Sequence, residues 1–333
     1  MAAYTVLVTA ASRRVPLVRA FQRAVADLFG DAGRVVVADV NPMSPAVHVV
    51  ERAYRVPFST EPGYVDAVLA ICRAEGVALV IPTIDDEVPV FGEAVGRFAA
   101  EGIVVACPPA ETAAICVDKF TTCNHLRAHG VAAAATYLPS ALPRDLELPL
   151  FVKPRTGRGS IGAFAARTRR ELDFFLGYVG DPVVQEYLDG AEYTIDVLCD
   201  FDGQPISVVP RERVVIRAGV IDRGRTVADD DLIALAVATA RQLRFHGAIN
   251  IQCRRARGVP TIFEINARFA GGIPLAIAAG ADFPRWLIQL ASGEALSPCI
   301  GQFTPDLWMT NYDTGIFLPR AAVDVLRPVP SAD

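Results

Sequence analysis

The chain has 333 residues, 52% of them hydrophobic, and a formal net charge of −5. That length supports roughly two or three packed domains, and the mildly acidic balance argues against a general nucleic-acid or membrane-surface binder. Charged or polar residues interrupt every long apolar run, so no segment reads as a membrane span. The opening "MAAYTVLVTA" runs straight into a strand without a basic leader or cleavage site. Seven Cys lie scattered with no CxxC pair, which fits reduced thiols, so a cytoplasmic protein is expected. His125 and His129 have the i, i+4 spacing of a helical metal pair. No HExxH pattern surrounds them, and a solvated helix face is the expectation.

The first third alternates strand and helix. "YTVLVTA" is a β-branched apolar run, "VPLVRAFQRAVADLF" has helical periodicity, and "RVVVADV" is a second buried strand. Helix is expected at 64–75, strand at 79–82, helix at 87–101 and strand at 103–106. Such alternation implies a parallel sheet covered on both faces. Asp39 stands where a dinucleotide fold would place its ribose-binding acid, but the first turn, "TAASRR", lacks the glycines that let backbone approach a pyrophosphate. "TAASRR" and "PTIDDE" should line a crevice at the carboxyl edge of the sheet, able to hold a small substrate. Alternatively, Asp85, Asp86 and Glu87 simply cap the next helix.

"DKFTTCNHLRAHG" (118–130) reads as a helix opened near Asp118 and stopped at Gly130. A proline-bearing stretch then marks a change of region. After residue 150 the pattern turns to short strands, and "PVVQEYLDGAEYTIDVLCDFDGQPISVVPRERVVIRAG" reads as an antiparallel meander. A helix over about 229–243 precedes strands at 247–254 and 259–266, joined by "RARG". Helices are expected within 274–292.

Three constellations carry chemistry. In "TIFEINARFA", Glu264, Asn266 and Arg268 occupy every second position, so they share a strand face. The "RARG" turn is centred so that Gln252 faces Glu264 across a hairpin. A carboxylate with two amide oxygens suits Mg²⁺ completed by phosphate oxygens, and Arg268 can grip phosphate bidentately. A polar face paired with its neighbours is the bland reading. In "VKPRTGRGSIG", Lys153 ends an apolar strand, Gly157, Gly159 and Gly162 free the backbone to wrap a phosphate, and Arg155, Arg158 and Ser160 add donors. No GK[ST] follows, so this is not a Walker A loop; a flexible hairpin is the alternative. In "VVQEYLDGAEYTIDVL", an apolar strand ends in Gln185 and Glu186, turns at Asp189-Gly190 and resumes with Glu192. It can serve as a nucleotide hinge, or as an ordinary hairpin with exposed acids.

In this order the three segments resemble the ATP-grasp superfamily, most closely its stand-alone carbamoyl-phosphate-synthase-like branch of carboxylate–amine ligase type. "VLVTAASRRVPLVRAF", "VIPTIDDEVPVF", "DKFTTCNHLRAHGV", "FVKPRTGRGSIG", "QEYLDGAEYTIDVL" and "IFEINARFAGG" carry the likeness over residues 4 to about 290. The resemblance implies an α/β and α+β chain: an N-terminal Rossmann-like parallel-sheet domain (1–113), then a two-lobed ATP-grasp fold with a small lid lobe (114–185) and a large metal-bearing lobe (186–333). It implies that Lys119 and Lys153 contact ATP phosphates and that 157–162, with Gly157, Gly159, Ser160 and Gly162, form a lid. Gln185, Glu186, Tyr187 and Leu188 would frame the adenine, and Glu192 the ribose hydroxyls. Gln252, Glu264 and Asn266 would bind Mg²⁺, with Mn²⁺ as an alternative.

Catalytic roles fall to Arg268, Lys153 and Arg211. Arg211, Arg213 and Arg217 should share a face toward an acidic substrate, a solvated strand edge being the rival. The family commonly has proline where Ala267 stands. The implied activity joins a small carboxylate and an amine, amino-acid-like, through an acyl-phosphate, with ADP and phosphate as products. Bicarbonate or carbamate phosphorylation, or a low-turnover nucleotide binder, are the alternatives. No nucleic acid or membrane partner is implied, and a homodimer is the family-level expectation.

Overall fold

The computed structural model describes residues 3–157, 159 and 161–330. Strand β1 (Tyr4–Thr9) is buried along its whole length. Helix α1 (Val15–Phe29) returns the chain to β2 (Gly33–Asp39), a short β3 (Ala53–Arg55) follows, and α2 (Tyr64–Glu75) matches the expected bounds. β4 (Val77–Ile81) starts two residues early because Thr5 pairs with Val77 ahead of a register shift in β1. After α3 (Glu87–Ala99), β5 is only Val104–Val105, since Pro108 and Pro109 soon remove ladder donors. The five strands form the expected parallel sheet, in the order β3-β2-β1-β4-β5.

The helix expected from Asp118 is present, and a further one that the sequence pattern did not suggest precedes it. α4 (Ala110–Val117) and α5 (Lys119–Ala128) are separated at Asp118, whose extended backbone breaks the helix. The Asp118 carboxylate accepts from the Phe120 and Thr121 N–H groups at 2.9 and 3.2 Å and caps α5. The chain then builds β6 (Thr136–Tyr137), β7 (Leu150–Pro154), β8 (Phe164–Ala166), α6 (Arg169–Tyr178) and β9 (Pro182–Glu186). These strands form a four-stranded antiparallel sheet, β6-β9-β7-β8.

The remaining strands are β10 (Glu192–Cys199), β11 (Pro205–Arg217), β12 (Val220–Thr226), β13 (Gly247–Ala256), β14 (Val259–Asn266) and β15 (Trp308–Thr310). They form a six-stranded sheet in the order β14-β13-β10-β11-β12-β15. Helix α7 (Asp230–Gln242) precedes β13, and α8 (Ile273–Ala278) and α9 (Phe283–Ala291) follow β14. The expected helical stretch 274–292 is divided at Gly280, whose φ of 102° is left-handed. No helix among the described residues is long and apolar enough to cross a membrane.

One expectation fails. The meander read through 182–219 is broken, because β9 belongs to the four-stranded sheet and β10 to the six-stranded one. Asp189-Gly190 is therefore a crossover between sheets, not a hairpin turn. Strand alternation reports which face a side chain takes but not which sheet the strand joins.

Burial follows this division unevenly. Leu7 and Val36 share one core with Ile195, Val208 and Leu232, while Val6 and Val8 share another with Leu198, Val209, Phe269 and Phe283. The parallel sheet is thus fused through both its faces to the six-stranded sheet. α4 and α5 contribute Ala113, Cys116, Cys123 and Leu126 to the first of these cores. The four-stranded sheet has its own small core of Leu150, Val152, Ala166, Leu172, Val179 and Val184.

Gly190 has φ of 117°, and a Cβ there would collide with the Arg255 carbonyl oxygen. Gly190→Ala is expected to cost about 1–3 kcal/mol, from the left-handed backbone together with that collision. A urea-denaturation midpoint lowered against wild type checks this; an unchanged midpoint contradicts the assigned backbone.

Candidate functional site

A cavity of about 350 Å³ lies between the four- and six-stranded sheets. β7 delivers Lys153, which is only 5% exposed. Its Nζ donates to the Phe263 carbonyl at 3.2 Å and sits 5.2 Å from the Phe263 ring centroid. Burial pulls its pKa down from the ordinary 10.5 to about 8, against the raising pull of Glu264. The capped start of α5 presents Lys119, whose Nζ donates to the Gly157 carbonyl at 2.8 Å and lies 3.5 Å from Glu264 Oε1. Two ammonium groups and the glycine loop therefore meet beside one carboxylate.

The expected Gln252–Glu264 pair is present, reached through a register shift between Gln252 and Cys253, and beyond it Asn250 faces Asn266. Gln252 and Glu264 both line the cavity. Asn266 is buried, donating Nδ2–H to Asn250 Oδ1 at 3.1 Å, while its Oδ1 accepts from Arg268 Nη2 at 3.3 Å. Among the described residues no group of three or more His, Cys, Asp or Glu can hold a metal. A hard cation fits the Glu264, Gln252 and Asn266 oxygens only if phosphate or water supplies the rest of its shell. His125 and His129 stack at 4.3 Å instead of converging on a ligand, and His129 Nδ1 lies 2.8 Å from the His125 carbonyl.

Apolar side chains complete the lining of the cavity. Phe151, Ala163, Ala165, Leu188, Ile216 and Phe263 line it. Gln185, Glu186 and Tyr187 lie along the same wall, where the chain leaves β9. The Gln185 side chain is committed to structure, donating to Thr136 Oγ1 at 2.9 Å and to Cys123 Sγ at 3.2 Å. Glu186 likewise accepts from the Ala135 N–H at 2.8 Å. Glu192 is held by Arg254 at 2.6 Å and approached by Arg213 Nε at 3.1 Å, at an angle too oblique for a hydrogen bond. Arg254 was not foreseen, although strand alternation places it on the same face as Gln252. The aromatic walls Phe151 and Phe263 carried no polar signal to find them by.

Other expected residues fall elsewhere. Gly159 and Gly162 do not line the cavity, and Ser160 and Arg158 lie outside the described residues. Arg211 is fully buried, bidentate with Asp196 at 2.5 and 2.9 Å, and its Nη1 has no partner. Arg217 is exposed and pairs with Asp222 and Asp313 at 3.3 and 3.1 Å. Register shifts between Arg213 and Ile216 interrupt the alternation that would have aligned the three arginines. Asp39 accepts from the Ser12 and Asn41 N–H groups at 2.8 and 3.0 Å, so it shapes its own turns. Asp85 receives Arg268 Nη2 at 2.7 Å, whereas Glu87 is buried against Tyr64 and the Thr83 N–H. The acidic turn thus divides between crevice and helix start.

Comparison with known proteins adds to this geometry. The family described as ATP-grasp in the biosynthetic pathway with Ter operon matches residues 179–312, and the PylC-like N-terminal domain matches 6–106. The segment 179–312 is similar to ATP-grasp proteins. It is 32% identical over 110 residues to a D-alanine–D-alanine ligase of Maridesulfovibrio salexigens, a stretch covering 30% of this chain and 35% of that one. Over 183 residues it is 28% identical to a carbamoyl phosphate synthase large chain of Thermomicrobium roseum, covering 49% of this chain and 17% of that one. The matched stretch thus spans about a third of the first relative and a sixth of the second.

Solved structures agree on the fold. An L-amino acid ligase from Bacillus licheniformis superposes with TM-score 0.70 at 18% identity, over 92% of this chain and 78% of that one. The biotin carboxylase domain of Hydrogenobacter thermophilus 2-oxoglutarate carboxylase, solved with MgADP and bicarbonate, gives 0.71 at 17% identity, over 91% and 73%.

The buried amine of Lys153 should titrate near pH 8. The folded value lies below the unfolded one, so between pH 8 and 10.5 the unfolded chain holds the extra proton and stability rises with pH. NMR of ¹³C-labelled lysine side chains, with Lys153→Met to assign the signal, checks the midpoint. A midpoint at the ordinary lysine value contradicts the burial.

Proposed function

We propose that the chain is an ATP- and Mg²⁺-dependent carboxylate–amine ligase acting on small, amino-acid-like molecules. The observation that carries this reading is the convergence of Lys119, Lys153, Glu264 and Gln252 in one cavity that also has apolar walls. That layout suits a nucleotide: base against Phe151 and Ala165, backbone of Glu186 to Leu188 alongside it, triphosphate toward the lysines. Glu192 would take the ribose hydroxyls. Its carboxylate retains acceptor sites beyond those held by Arg254 and Arg213.

Phosphoryl transfer asks the protein for position and charge more than covalent help. A carboxylate oxygen of the substrate attacks the γ-phosphorus of ATP, and ADP leaves. The amine then attacks the acyl carbon, forming the amide and expelling phosphate. Lys119 and Lys153 neutralise phosphate oxygens, and Arg268 steadies the transferred group. Glu264, Gln252 and Asn266 would hold Mg²⁺, which when bound offsets phosphate charge. On this reading Asn266 turns its amide oxygen from Arg268 to the ion, freeing that guanidinium for the phosphoryl oxygens. The small lobe, within 114–185, carries the lid that excludes water from the acyl-phosphate, and 186–333 carries the metal site.

ADP release with Mg²⁺ and ATP should require both a carboxylate pool and an amine pool. Glu264→Gln should lower it on the order of 100-fold, as loss of a charge-stabilising group does. Release that needs bicarbonate alone would replace this reading with carboxyphosphate chemistry.

Lys153 supplies a second test. Triphosphate restores its charged form, so binding ATP at pH 9 should take up a fraction of a proton. Calorimetry in two buffers of different ionisation enthalpy measures the uptake, and Lys153→Arg should abolish it. Equal heats in both buffers with wild type would contradict the lysine–phosphate contact.

A further inference from the structure

The turn that follows β1 is strained without an evident packing reason. Ala10 and Ser12 both take left-handed backbone, at φ of 44° and 45°, where neither residue is favoured. The strain is held in place from outside. Asp39 fixes the Ser12 N–H at 2.8 Å, and Thr83 Oγ1 donates to the Thr9 and Ala10 carbonyls at 3.0 and 2.8 Å. What this turn delivers is Arg14, at the carboxyl end of the central parallel strand. Its Nη1 donates to the Phe269 carbonyl at 3.0 Å, directly after Arg268 in the chain.

A latch between two domains would need only a neutral donor here. Arg14 instead brings a charge, and among the described residues it forms no ion pair. Arg268 is close enough that, after burial, its charge is what most depresses the Arg14 pKa, to about 9. The one carboxylate bonded in this cluster, Asp85, is taken by Arg268 at 2.7 Å. Glu87, behind it, is buried, and its pKa is raised by that burial. Two guanidiniums thus share one accessible carboxylate, with Arg268 13% and Asp85 17% exposed in side chain, so solvent reaches the cluster.

We propose that Arg14 is a substrate-binding residue. With Arg268 it forms a paired-guanidinium seat for a substrate carboxylate, across the boundary between the parallel sheet and β14. Arg14 can meet a carboxylate through two N–H groups, while Arg268, which already donates to Asp85, Asn266 and the Phe269 carbonyl, adds its charge and a remaining Nη1–H, and a strained, pre-set turn spares the cost of ordering Arg14. The inference rests on the ligase reading for what happens to the carboxylate next, but not for its binding.

The test titrates the full chain by calorimetry with the proteinogenic L-amino acids and with short dicarboxylates from malonate to adipate. Each titration is run with and without Mg²⁺ and a non-hydrolysable ATP analogue, on wild type, Arg14→Gln and Arg14→Lys. At least one carboxylate should bind wild type, with affinity falling about tenfold or more in Arg14→Gln and less in Arg14→Lys. Affinity for the nucleotide analogue should stay unchanged. Equal carboxylate affinity in wild type and Arg14→Gln, with only the melting temperature lowered, would make Arg14 a latch and overturn the proposal. So would failure of every carboxylate to bind wild type. Failure of the nucleotide analogue to bind wild type sinks the ligase reading instead, and the nucleotide-free titrations still decide Arg14.

Discussion

The site is organised around an excess of buried positive charge. Lys153 and Lys119 are 5% and 7% exposed, and the carboxylate nearest them both is Glu264. Glu192, the next acid along the cavity, is already held by two guanidiniums. Removing ammonium groups from water costs several kcal/mol unless an opposite charge compensates. The protein meets part of that cost by depressing the Lys153 pKa and by lending the Phe263 and Gly157 carbonyls as acceptors. The rest is left outstanding, so the cavity is electrostatically suited to an anionic ligand.

The distribution of cores fixes what can move. The parallel and six-stranded sheets bury residues in common on both faces of β1, so they behave as one block. The four-stranded sheet has only a small core of its own, and it meets the block across the cavity. Low local burial places that lobe at the less stable end of the structure. Lys119 ties the two by reaching from α5, which is rooted in the block, to Gly157 in the loop after β7. Asp118 reinforces this from the same turn by taking Arg155 at 2.6 Å, so a helix cap also anchors the base of the glycine loop.

Much of this was legible from residues alone. The Gln252–Glu264 pair was expected from a hairpin centred on Gly258, and it arises through a register shift between Gln252 and Cys253 that offsets the tighter turn at Arg257-Gly258. Lys153, at the end of an apolar strand, and the capped start of α5 were local signals of the same kind. What escaped depends on long range. The Asp85–Arg268 pair joins residues 183 positions apart, and Arg14 meets Phe269 across 255. No periodicity encodes such a meeting. The sheet change at Gly190 escaped for a different reason, since β9 and β10 alternate alike whichever sheet receives them. Arg211 misled because strand alternation gives a face but not its depth, and Asp196 lies beside it at the bottom.

The fused cores also say where this architecture can be recombined. A cut at the end of the parallel-sheet domain would split two cores and leave Leu7, Val6, Ile195 and Val209 facing solvent on one fragment or the other. A cut on either side of the four-stranded sheet passes through connections and leaves that sheet's core whole. The exchangeable cassette of this chain is therefore its middle, not its beginning. A chimera that imports a foreign segment between β6 and β9 keeps the crevice at the end of β1 and the β13–β14 hairpin together, while one that imports a foreign N-terminal domain must rebuild both hydrophobic faces at once.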